Sequence, residues 1–517
     1  MRMIPLGLVT VAIFGVLLAG ALEQKANKTD SLAALKSRYS NKHVKSVDHS
    51  KLPALQRKFS SPQEVTEACL SCHTERGKEV MATSHWNWER LEYIPGRGVR
   101  EVGKRNVINN FCIGVTSNLE GCDKCHAGYG FVDNSFDFHN EKNIDCLICH
   151  DNSDTYTKGL AGMPAPNVNL TLVAQKVGRP LKSDCGTCHF YGGGGNGVKH
   201  GDLDQSILTA DREEDVHMAS GGGDLDCVAC HTAENHQIRG RMYSVASMNT
   251  GRATCEQCHG EAPHTDGVLN NHTARVACQT CHIPEFGRGD ATKMTWDWST
   301  AGRLKNGEPY EEKDAQGNPR YASIKGTFKW EKNVKPEYVW FNGTADHYLL
   351  GDKAPAQRPI PMNRLFGSAD DPESKIIPIK VHRAKQIYDP VNNMVIQPKL
   401  YAREKGEGGF WKDFDWGKAA AAGMKEAGLP YSGRYEFVDT VMYWPLNHQV
   451  APKEKSVACV ECHTPQNSRL AAVTGFYMPG RDRSGVVDLL GLLAIAGTFG
   501  AALLHGAGRA LARVRRS

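Results

Sequence analysis

One pattern occurs three times in residues 227–282, CVACHTAENHQIRGRMYSVASMNTGRATCEQCHGEAPHTDGVLNNHTARVACQTCH. Each copy has two cysteines separated by two residues, and a histidine follows the second cysteine directly. Five more copies lie outside this stretch, so eight copies hold all but one of the 17 cysteines. The cysteines of the motifs are, in chain order, Cys69, Cys72, Cys122, Cys125, Cys146, Cys149, Cys185, Cys188, Cys227, Cys230, Cys255, Cys258, Cys278, Cys281, Cys459 and Cys462. The histidines that close them are His73, His126, His150, His189, His231, His259, His282 and His463.

This spacing is typical of covalent haem attachment. Two sulfurs three residues apart can form thioethers to one haem, and the adjacent histidine can then ligate its iron. A zinc ribbon or a disulfide framework also uses cysteine pairs, but neither needs a histidine directly after the second cysteine. The sequence therefore predicts eight haem c groups, each with its motif histidine as an axial ligand of the iron.

The two ends of the chain predict its location. Residues 1–21 combine an early arginine, an apolar run and a small-residue cleavage site, as in a secretory signal peptide. Residues 485–508 are apolar and nearly long enough to span a bilayer, and the tail 509–517 is rich in arginine. An amphipathic or buried helix is the alternative for this segment. We expect a haem domain anchored by a C-terminal helix on the periplasmic face of the cytoplasmic membrane, with a cytoplasmic basic tail.

Between these ends the motifs are distributed unevenly. We expect an N-terminal extension over 22–64, one octahaem domain over 65–465 and a linker over 466–484. Within the domain, residues 286–450 contain no motif and seven tryptophans. The predicted fold is mostly α with long loops and low sheet content, built around the haems, with a helix at Lys418–Glu426 in the segment without motifs. The formal charge of +5 gives no support for nucleic-acid binding, because the haem propionates would outweigh it.

Thirteen of the 21 histidines lie outside the motifs. A second histidine on a haem iron fills its coordination, which suits electron transfer and excludes substrate. Seven such haems would use seven of these residues, whereas His505 in the apolar C-terminal segment is not expected to bind haem in this domain. The candidates are His85, His200, His217, His236, His264, His272 and His448, with His139 and His382 in reserve.

Cys112 is the one cysteine outside the motifs, and it stands ten residues before the second motif. A small buried side chain is one interpretation of a free cysteine, and a reactive thiol in an exported protein is the other. Cationic residues precede it, and such residues favour the thiolate and attract anions. They are Arg97, Arg100, Lys104 and Arg105.

Over roughly residues 60–465 the sequence resembles the octahaem tetrathionate reductase cytochromes. The resemblance is carried by the order of the motifs and by the segments NNFCIGV (109–115), DVHM (215–218), CVACHTAENHQIRGRMYS (227–244), CEQCHGEAPH (255–264), NHTARVACQTCHIP (271–284) and ATKMTWDWSTAG (291–302). It implies that the second haem, held by Cys122 and Cys125, is catalytic, that a lysine from outside the motif ligates its iron, and that Cys112 lines the substrate pocket.

The lysine implied by this resemblance has two candidates. Lys158 is the first and Lys142 is the substitute, and Asp154 would act nearby as a proton donor or orienting group. A lysine ligates iron only as the neutral amine, so burial or the charge of the metal has to lower its pKa. If Lys158 takes this role, His126 is either retained on the iron or displaced from it.

The resemblance implies a reductase of tetrathionate, with nitrite and hydroxylamine as further small anionic or N-oxide substrates. A non-catalytic electron conduit with eight bis-histidine haems is one alternative. An oxidative enzyme of the hydroxylamine oxidoreductase type is another, although no segment identifies the tyrosine cross-link of that class. The electron donor would be a quinol-linked membrane cytochrome or a periplasmic protein, since a single helix with only His505 cannot hold a bis-histidine haem b. The sequence leaves the oligomeric state open.

Overall fold

The computed structural model of the chain describes residues 47–111, 114–241 and 246–514. The predicted signal peptide, Cys112 and the end of the basic tail lie outside these residues. The helices are Pro62–Leu70 (α1), Arg76–Met81 (α2), Ser84–Asn87 (α3), Leu119–Cys122 (α4), Leu147–His150 (α5), Leu170–Gln175 (α6), Lys182–His189 (α7), Cys227–Cys230 (α8), Glu256–His259 (α9), Gly267–His272 (α10), Cys278–His282 (α11), Phe410–Asp413 (α12), Trp416–Glu426 (α13), Cys459–Cys462 (α14) and Gly485–Val514 (α15). Short 3-10 turns lie at His49–Lys51, Pro53–Leu55, Asp123–Cys125, Glu141–Asn143, Leu160–Gly162, Gln205–Leu208, Trp298–Thr300 and Lys453–Lys455.

The helices of the motif-rich part are short because the motif itself needs only one helical turn. Residues three apart on a helix lie on the same face, so a single turn places the two cysteines of a motif side by side. Each motif begins within a helix, at its last residue or directly before its first residue. Long loops join these turns, as the sequence predicts.

The strands are Glu89–Ile94 (β1), Gly98–Gly103 (β2), Ala233–Glu234 (β3), Gln237–Ile238 (β4), Thr292–Asp297 (β5), Leu304–Lys305 (β6), Glu308–Pro309 (β7), Glu311–Lys313 (β8), Pro319–Ala322 (β9), Gly326–Glu331 (β10), Glu337–Phe341 (β11), Ala345–His347 (β12), Ile360–Pro361 (β13), Asn363–Leu365 (β14), Lys375–Asp389 (β15), Met394–Val395 (β16) and Glu436–Pro445 (β17). Nine of them form one sheet in the order β13-β17-β15-β5-β10-β9-β8, with β11 and β16 also paired to β15. The long strand β15 pairs with β17 over ten residues, antiparallel.

The expectation of a mostly helical chain with low sheet content is wrong. The segment 286–450, which contains no motif, folds into this nine-stranded sheet. Its central strand, KIIPIKVHRAKQIYD, is buried along most of its length on both faces, so it lacks the alternation of apolar and polar residues that marks a half-exposed strand. The one helix expected in this segment, at Lys418–Glu426, is confirmed within α13.

Aromatic residues form the main core between the sheet and α13. The rings of Trp296 and Trp298 stack with their centres 4.6 Å apart, and Phe410 stacks on Trp416 at 3.8 Å. The sheet also holds the segment before Cys112. The Asn110 amide donates to the backbone oxygen of His382 at 2.9 Å, and its oxygen lies 3.0 Å from the Nδ1 atom of that residue on β15.

The last helix differs from the rest of the molecule. Within α15, residues Gly485–Ala512 are long and apolar enough to cross a membrane, and none of that stretch is buried within the described protein. By its length and composition, α15 is a candidate membrane anchor.

Candidate haem and catalytic site

Seven of the eight motif histidines face a second histidine that lies outside the motifs. The centres of the two rings are 6.0 to 6.5 Å apart in every case. The pairs are His73 with His49, His150 with His236, His189 with His85, His231 with His448, His259 with His217, His282 with His264 and His463 with His272. Residues far apart in sequence are thus brought into seven facing pairs.

This spacing fits an iron between the two rings. A metal–imidazole bond is roughly 2 Å long, so two such bonds in line place the ring centres roughly 6 Å apart. Two rings that simply pack against each other have no reason to keep this same separation of their centres in seven separate pairs. Histidines that bind a metal usually donate a hydrogen bond from their other ring nitrogen to a carbonyl or carboxylate oxygen. Here Nδ1 lies 2.8 Å from the Gly178 oxygen in His150, 2.8 Å from the Arg239 oxygen in His231 and 2.7 Å from the Pro479 oxygen in His463.

The cysteine sulfurs connect the motifs in a definite order. Thiols of different motifs lie close enough to shift each other's pKa at four places, between Cys69 and Cys146, Cys125 and Cys188, Cys185 and Cys227, and Cys255 and Cys278. Further neighbours are Cys149 with Cys185, Cys230 with Cys258, and Cys281 with Cys462. The first, third, fourth, fifth, sixth, seventh and eighth motifs therefore form a series, and the second motif joins it at the fourth.

The second motif has a different environment. His126 is fully buried, and its Nε2 atom lies 2.5 Å from the backbone oxygen of Trp86. Because a carbonyl only accepts, Nε2–H is the donor, and burial lowers the pKa of the ring to about 3, so it is neutral. Five aromatic rings surround it at 4.9 to 6.1 Å, those of Trp86, Trp88, Phe131, Phe136 and Phe138. Within the described residues no second histidine pairs with it.

Lys158 lies beside the backbone of this motif. Its side chain is 1% exposed, and Nζ is 3.0 Å from a carboxylate oxygen of Asp145. Nζ also donates to the backbone oxygens of His126 at 2.5 Å and of Gly128 at 3.1 Å. Asp145 is held in turn by the hydroxyls of Tyr129 and Tyr156, each at 2.9 Å. A buried amine is thus fixed next to the second motif by a buried network.

A left-handed turn helps to place this amine. Gly162 has φ +63°, and a Cβ atom there would come within 2.6 Å of the Gly128 oxygen and 3.4 Å of the Lys158 Nζ atom. Glycine avoids both the strain and the close contact. Asp123, in the second motif itself, is also buried here, and its pKa is raised to about 7 because burial disfavours the charge more than Lys158 favours it.

Comparison with known proteins decides the family. A family model described as bacterial cytochrome c matches residues 293–466. The crystal structure of octaheme cytochrome c from Shewanella oneidensis superposes with a TM-score of 0.78 and 44% sequence identity, covering 85% of this chain and 99% of that chain. The chain belongs to the octahaem cytochrome c family. An uncharacterised protein from Archaeoglobus fulgidus is also similar, with 25% identity over 246 residues, which are 38% of this chain and 81% of that protein.

As a member of this family, the protein carries covalently bound haem c and has a multihaem redox function. The match with the octaheme cytochrome covers nearly all of that chain, so it includes the motif-rich part and the sheet together. The sheet is thus a part of the octahaem fold, although the sequence motifs give no sign of it.

Six of the seven distal histidines predicted for this octahaem cytochrome face a motif histidine. They are His85, His217, His236, His264, His272 and His448. His200 does not form such a pair in the described structure, where its ring instead lies edge-on to Trp444 at 5.3 Å. The seventh facing histidine is His49, opposite His73. It was not among the candidates because it lies in the predicted N-terminal extension, 20 residues before the first motif. Of the reserves, His139 is exposed and His382 is bound to Asn110.

The other predicted site residues lie in surroundings that differ from the buried network around Lys158. Lys142, the substitute for Lys158, is exposed and paired with Glu67 at 2.7 Å. Asp154 is exposed in a left-handed bend with φ +56°, and the buried carboxyls near Lys158 are those of Asp145 and Asp123. Cys112 lies outside the described residues. Of the cationic residues before it, Arg97 is paired with Asp346 and Asp352, and Arg105 with Glu89.

Proposed function

We propose that this octahaem cytochrome is an exported reductase that carries eight haems, seven with two histidine ligands and one, at the second motif, with Lys158 as ligand. Electrons pass along the series to the second motif and reduce a small oxidised sulfur or nitrogen compound there. Tetrathionate, nitrite and hydroxylamine are the candidate substrates. The observation that carries the proposal is the contrast between His126 and the seven paired motif histidines.

The haem groups, when bound, supply irons that gain and lose one electron each. The facing histidines would hold seven of these irons, so these haems would transfer electrons and would not bind substrate. At the second motif, the hydrogen bond from His126 to Trp86 holds that imidazole away from ligation through Nε2. Lys158 is then a buried nitrogen donor beside this motif, held by Asp145 and two backbone oxygens. To ligate the iron, its ammonium would give up one proton and leave one of these three oxygens. With this amine as its one protein ligand, the haem of the second motif would be able to bind a substrate.

The order of the cysteine sulfurs also distinguishes the second motif from the other seven. The second motif joins the others at the fourth, through the contact of Cys125 with Cys188, while the remaining motifs form the series. Reduction of tetrathionate to thiosulfate takes two electrons, and reduction of nitrite to ammonia takes six. A series of redox groups that meets one reaction centre can supply such numbers without release of partly reduced products.

The charges near the second motif favour an anionic substrate. Lys199 is buried with its Nζ atom 5.6 Å from the ring centre of Trp444, and burial lowers its pKa to about 7. Lys104 lies 5.1 Å above the ring of Trp88. Both lysines act electrostatically on Cys125 and Cys188, so both lie close to the second motif. When protonated, amines in a site of low polarity attract anions more strongly than they would in water.

Substitution of Lys158 tests the proposal. In Lys158→Ala, the spectrum of the one haem that is not bis-histidine should change, and reductase activity with a soluble electron donor should fall by at least about 100-fold. Lys142→Ala is the control, because that lysine is exposed and bound only to Glu67. Visible and magnetic circular dichroism spectra, with activity assays on the three substrates, measure both effects.

Two outcomes would contradict the proposal. If Lys158→Ala keeps both the wild-type spectrum and the activity, Lys158 is not a ligand. If the wild-type protein binds neither cyanide nor nitrite in its reduced form, the chain is a non-catalytic electron conduit, as it would be with eight bis-histidine haems.

A further inference from the structure

We propose that electrons enter this cytochrome from a donor in the membrane at the haem held by Cys459 and Cys462, because helix α15 fixes this end of the series at the membrane surface. The inference rests on the haem series of the proposed function and adds the place where electrons enter and the class of partner. That partner is a membrane-embedded protein that oxidises a hydroquinone.

The segment after the eighth motif folds back onto the motif histidine. The Nδ1 atom of His463 lies 2.7 Å from the backbone oxygen of Pro479. Gly480 follows with φ +83°, and a Cβ atom there would come within 2.9 Å of the His463 oxygen. The chain that leads to α15 is therefore in contact with the residue that closes the eighth motif.

The next residues are fixed in place as well. Arg481 is largely buried and donates to the backbone oxygens of Leu470 at 2.8 Å and Val473 at 2.7 Å. It also pairs with Asp482 at 2.6 Å, and the Asp482 carboxylate accepts from the backbone N–H of Met478 at 2.7 Å. This turn has a defined position against the eighth motif and cannot act as a loose tether.

Chain length then limits the distance between the eighth motif and the anchor. Helix α15 begins at Gly485, six residues after Pro479. Six residues span at most about 20 Å even when fully extended. If α15 crosses the membrane, the imidazole of His463 cannot lie farther than roughly this distance from the start of the span.

An aromatic cluster beside the same segment gives a second, independent indication of a membrane surface. The Trp340 ring packs on Phe476 at 5.4 Å, and its Nε1–H donates to the Thr474 oxygen at 3.0 Å. Tyr477 is 47% exposed. Tryptophan and tyrosine are enriched where proteins meet the headgroups of a bilayer. Phe476 and Tyr477 come shortly before α15 in the chain, and Trp340 and Phe476 pack in one cluster with Cys462 of the eighth motif.

The eighth motif lies at one end of the series, which is a suitable point for electrons to enter. It is next to the seventh through Cys462 and Cys281. From there the path to the second motif passes the seventh, sixth, fifth and fourth motifs in turn. The other end is the first motif, whose electrons would pass only the third and fourth.

The partner has to supply electrons rather than hydrogen atoms. Oxidation of one hydroquinone to the quinone releases two electrons and two protons. Helix α15 carries a single histidine, His505, so this chain alone does not build a membrane haem site with two histidine ligands. In the proposed transfer the partner oxidises the hydroquinone and releases the two protons, and the two electrons reach the eighth motif one at a time.

Reduction kinetics in liposomes test this inference. Full-length holoprotein in phosphatidylcholine–phosphatidylglycerol vesicles is mixed with a reduced viologen that carries a C16 alkyl chain, or with water-soluble reduced methyl viologen. Each viologen radical gives one electron, and haem absorbance reports the rate. In one variant, a helical (EAAAK)4 spacer between Ser484 and Gly485 moves the membrane away by about 30 Å and should slow reduction by the alkyl viologen at least about tenfold. Methyl viologen should reduce both proteins equally fast.

A matched pair of ligand variants shows which end of the series is used. His272→Ala removes the histidine that faces His463, and His49→Ala removes the one that faces His73. Each should add one high-spin haem signal to the spectrum, which verifies that a ligand was lost. Only His272→Ala should change the rate with the alkyl viologen.

The results that would overturn the inference are distinct. It fails if the full-length protein does not float with vesicles, if the spacer leaves the alkyl-viologen rate unchanged, or if His49→Ala is the variant that changes it. Lys158→Ala is the control for the proposed function, because it should abolish substrate reduction and leave haem reduction by the alkyl viologen intact. Failure of the reaction centre and failure of the membrane-facing end are thereby separated.

Discussion

The orientation of one imidazole distinguishes the second motif from the other seven. The sequence around His126 is the same Cys-x-x-Cys-His as elsewhere, yet Nε2 of this ring is bound to the Trp86 carbonyl. The cause is local, because tryptophan and phenylalanine side chains from 86–88 and 131–138 form a closed aromatic box around it. These residues are not part of the motif, so the motif alone cannot predict where the ring points.

Asp145 is the residue on which the position of Lys158 depends most. It accepts hydrogen bonds from two tyrosine hydroxyls and pairs with Nζ at 3.0 Å, with both side chains of the ion pair almost fully buried. Asp145→Asn should lower reductase activity by about 10- to 100-fold and change the spectrum of the haem that is not bis-histidine, because the amine loses its charged partner. Activity assays and magnetic circular dichroism measure the two effects.

Asp154→Asn provides the control for that variant, since Asp154 is four residues from Lys158 and exposed. Its substitution should leave activity and spectrum unchanged. The reverse result, with Asp154 essential and Asp145 dispensable, would show that the proton donor or orienting group predicted from the sequence is the correct one and that the buried network has no catalytic role.

At the scale of elements, the motif turns were predictable and the sheet was not. A Cys-x-x-Cys-His motif imposes its own single helical turn, so eight short helical turns joined by loops follow from the sequence. The strands of 286–450 follow from long-range pairing, and β15 is buried on both faces along most of its length. No local pattern separates such a strand from a buried helix. Helix α13 was found because alanine and lysine favour helix irrespective of context.

The sheet should contribute a large share of the stability of the molecule. Ile387 on β15 is fully buried in the main aromatic core, so Ile387→Ala should lower the free energy of unfolding by about 2–5 kcal/mol through lost burial and a cavity. Val391, just beyond the same strand, is 60% exposed. Val391→Ala should therefore change the free energy of unfolding by less than about 0.5 kcal/mol.

Chemical denaturation of the holoprotein, followed by tryptophan fluorescence, measures both variants. Equal effects of the two substitutions would mean that the sheet packs only loosely against the aromatic core. Unchanged haem spectra in the folded variants would show that the loss is one of stability and not of ligation.

At the scale of the whole molecule, some facing histidines are far apart in the chain. His448 faces His231, and His236 faces His150, so these two pairs depend on how distant segments are arranged. Proximity in sequence to a motif selected six of the seven histidines that face a motif histidine in the structure. It failed for His49, which lies before the first motif, and favoured His200, which lies against Trp444. The pairing itself could not be derived, because it depends on how the motif turns are arranged in space.

The family assignment and the structure lead to one account of the whole molecule. A series of seven motifs, each with a facing pair of histidines, extends to the eighth motif beside the anchor helix, and the second motif joins this series at the fourth. Electrons would enter at the membrane and leave at a reaction centre near Lys158 and Lys199. The sheet packs behind the segment that leads to Cys112 and holds it through Asn110 and His382.

Counting haem ligand types tests the central claim most directly. Near-infrared magnetic circular dichroism of the oxidised full-length holoprotein separates haems with two imidazole ligands from those with an amine or an open position. The account predicts that seven haems per molecule give the bis-imidazole signal and that one, altered by Lys158→Ala, does not. Eight equivalent bis-imidazole signals, unaffected by that substitution, would contradict it.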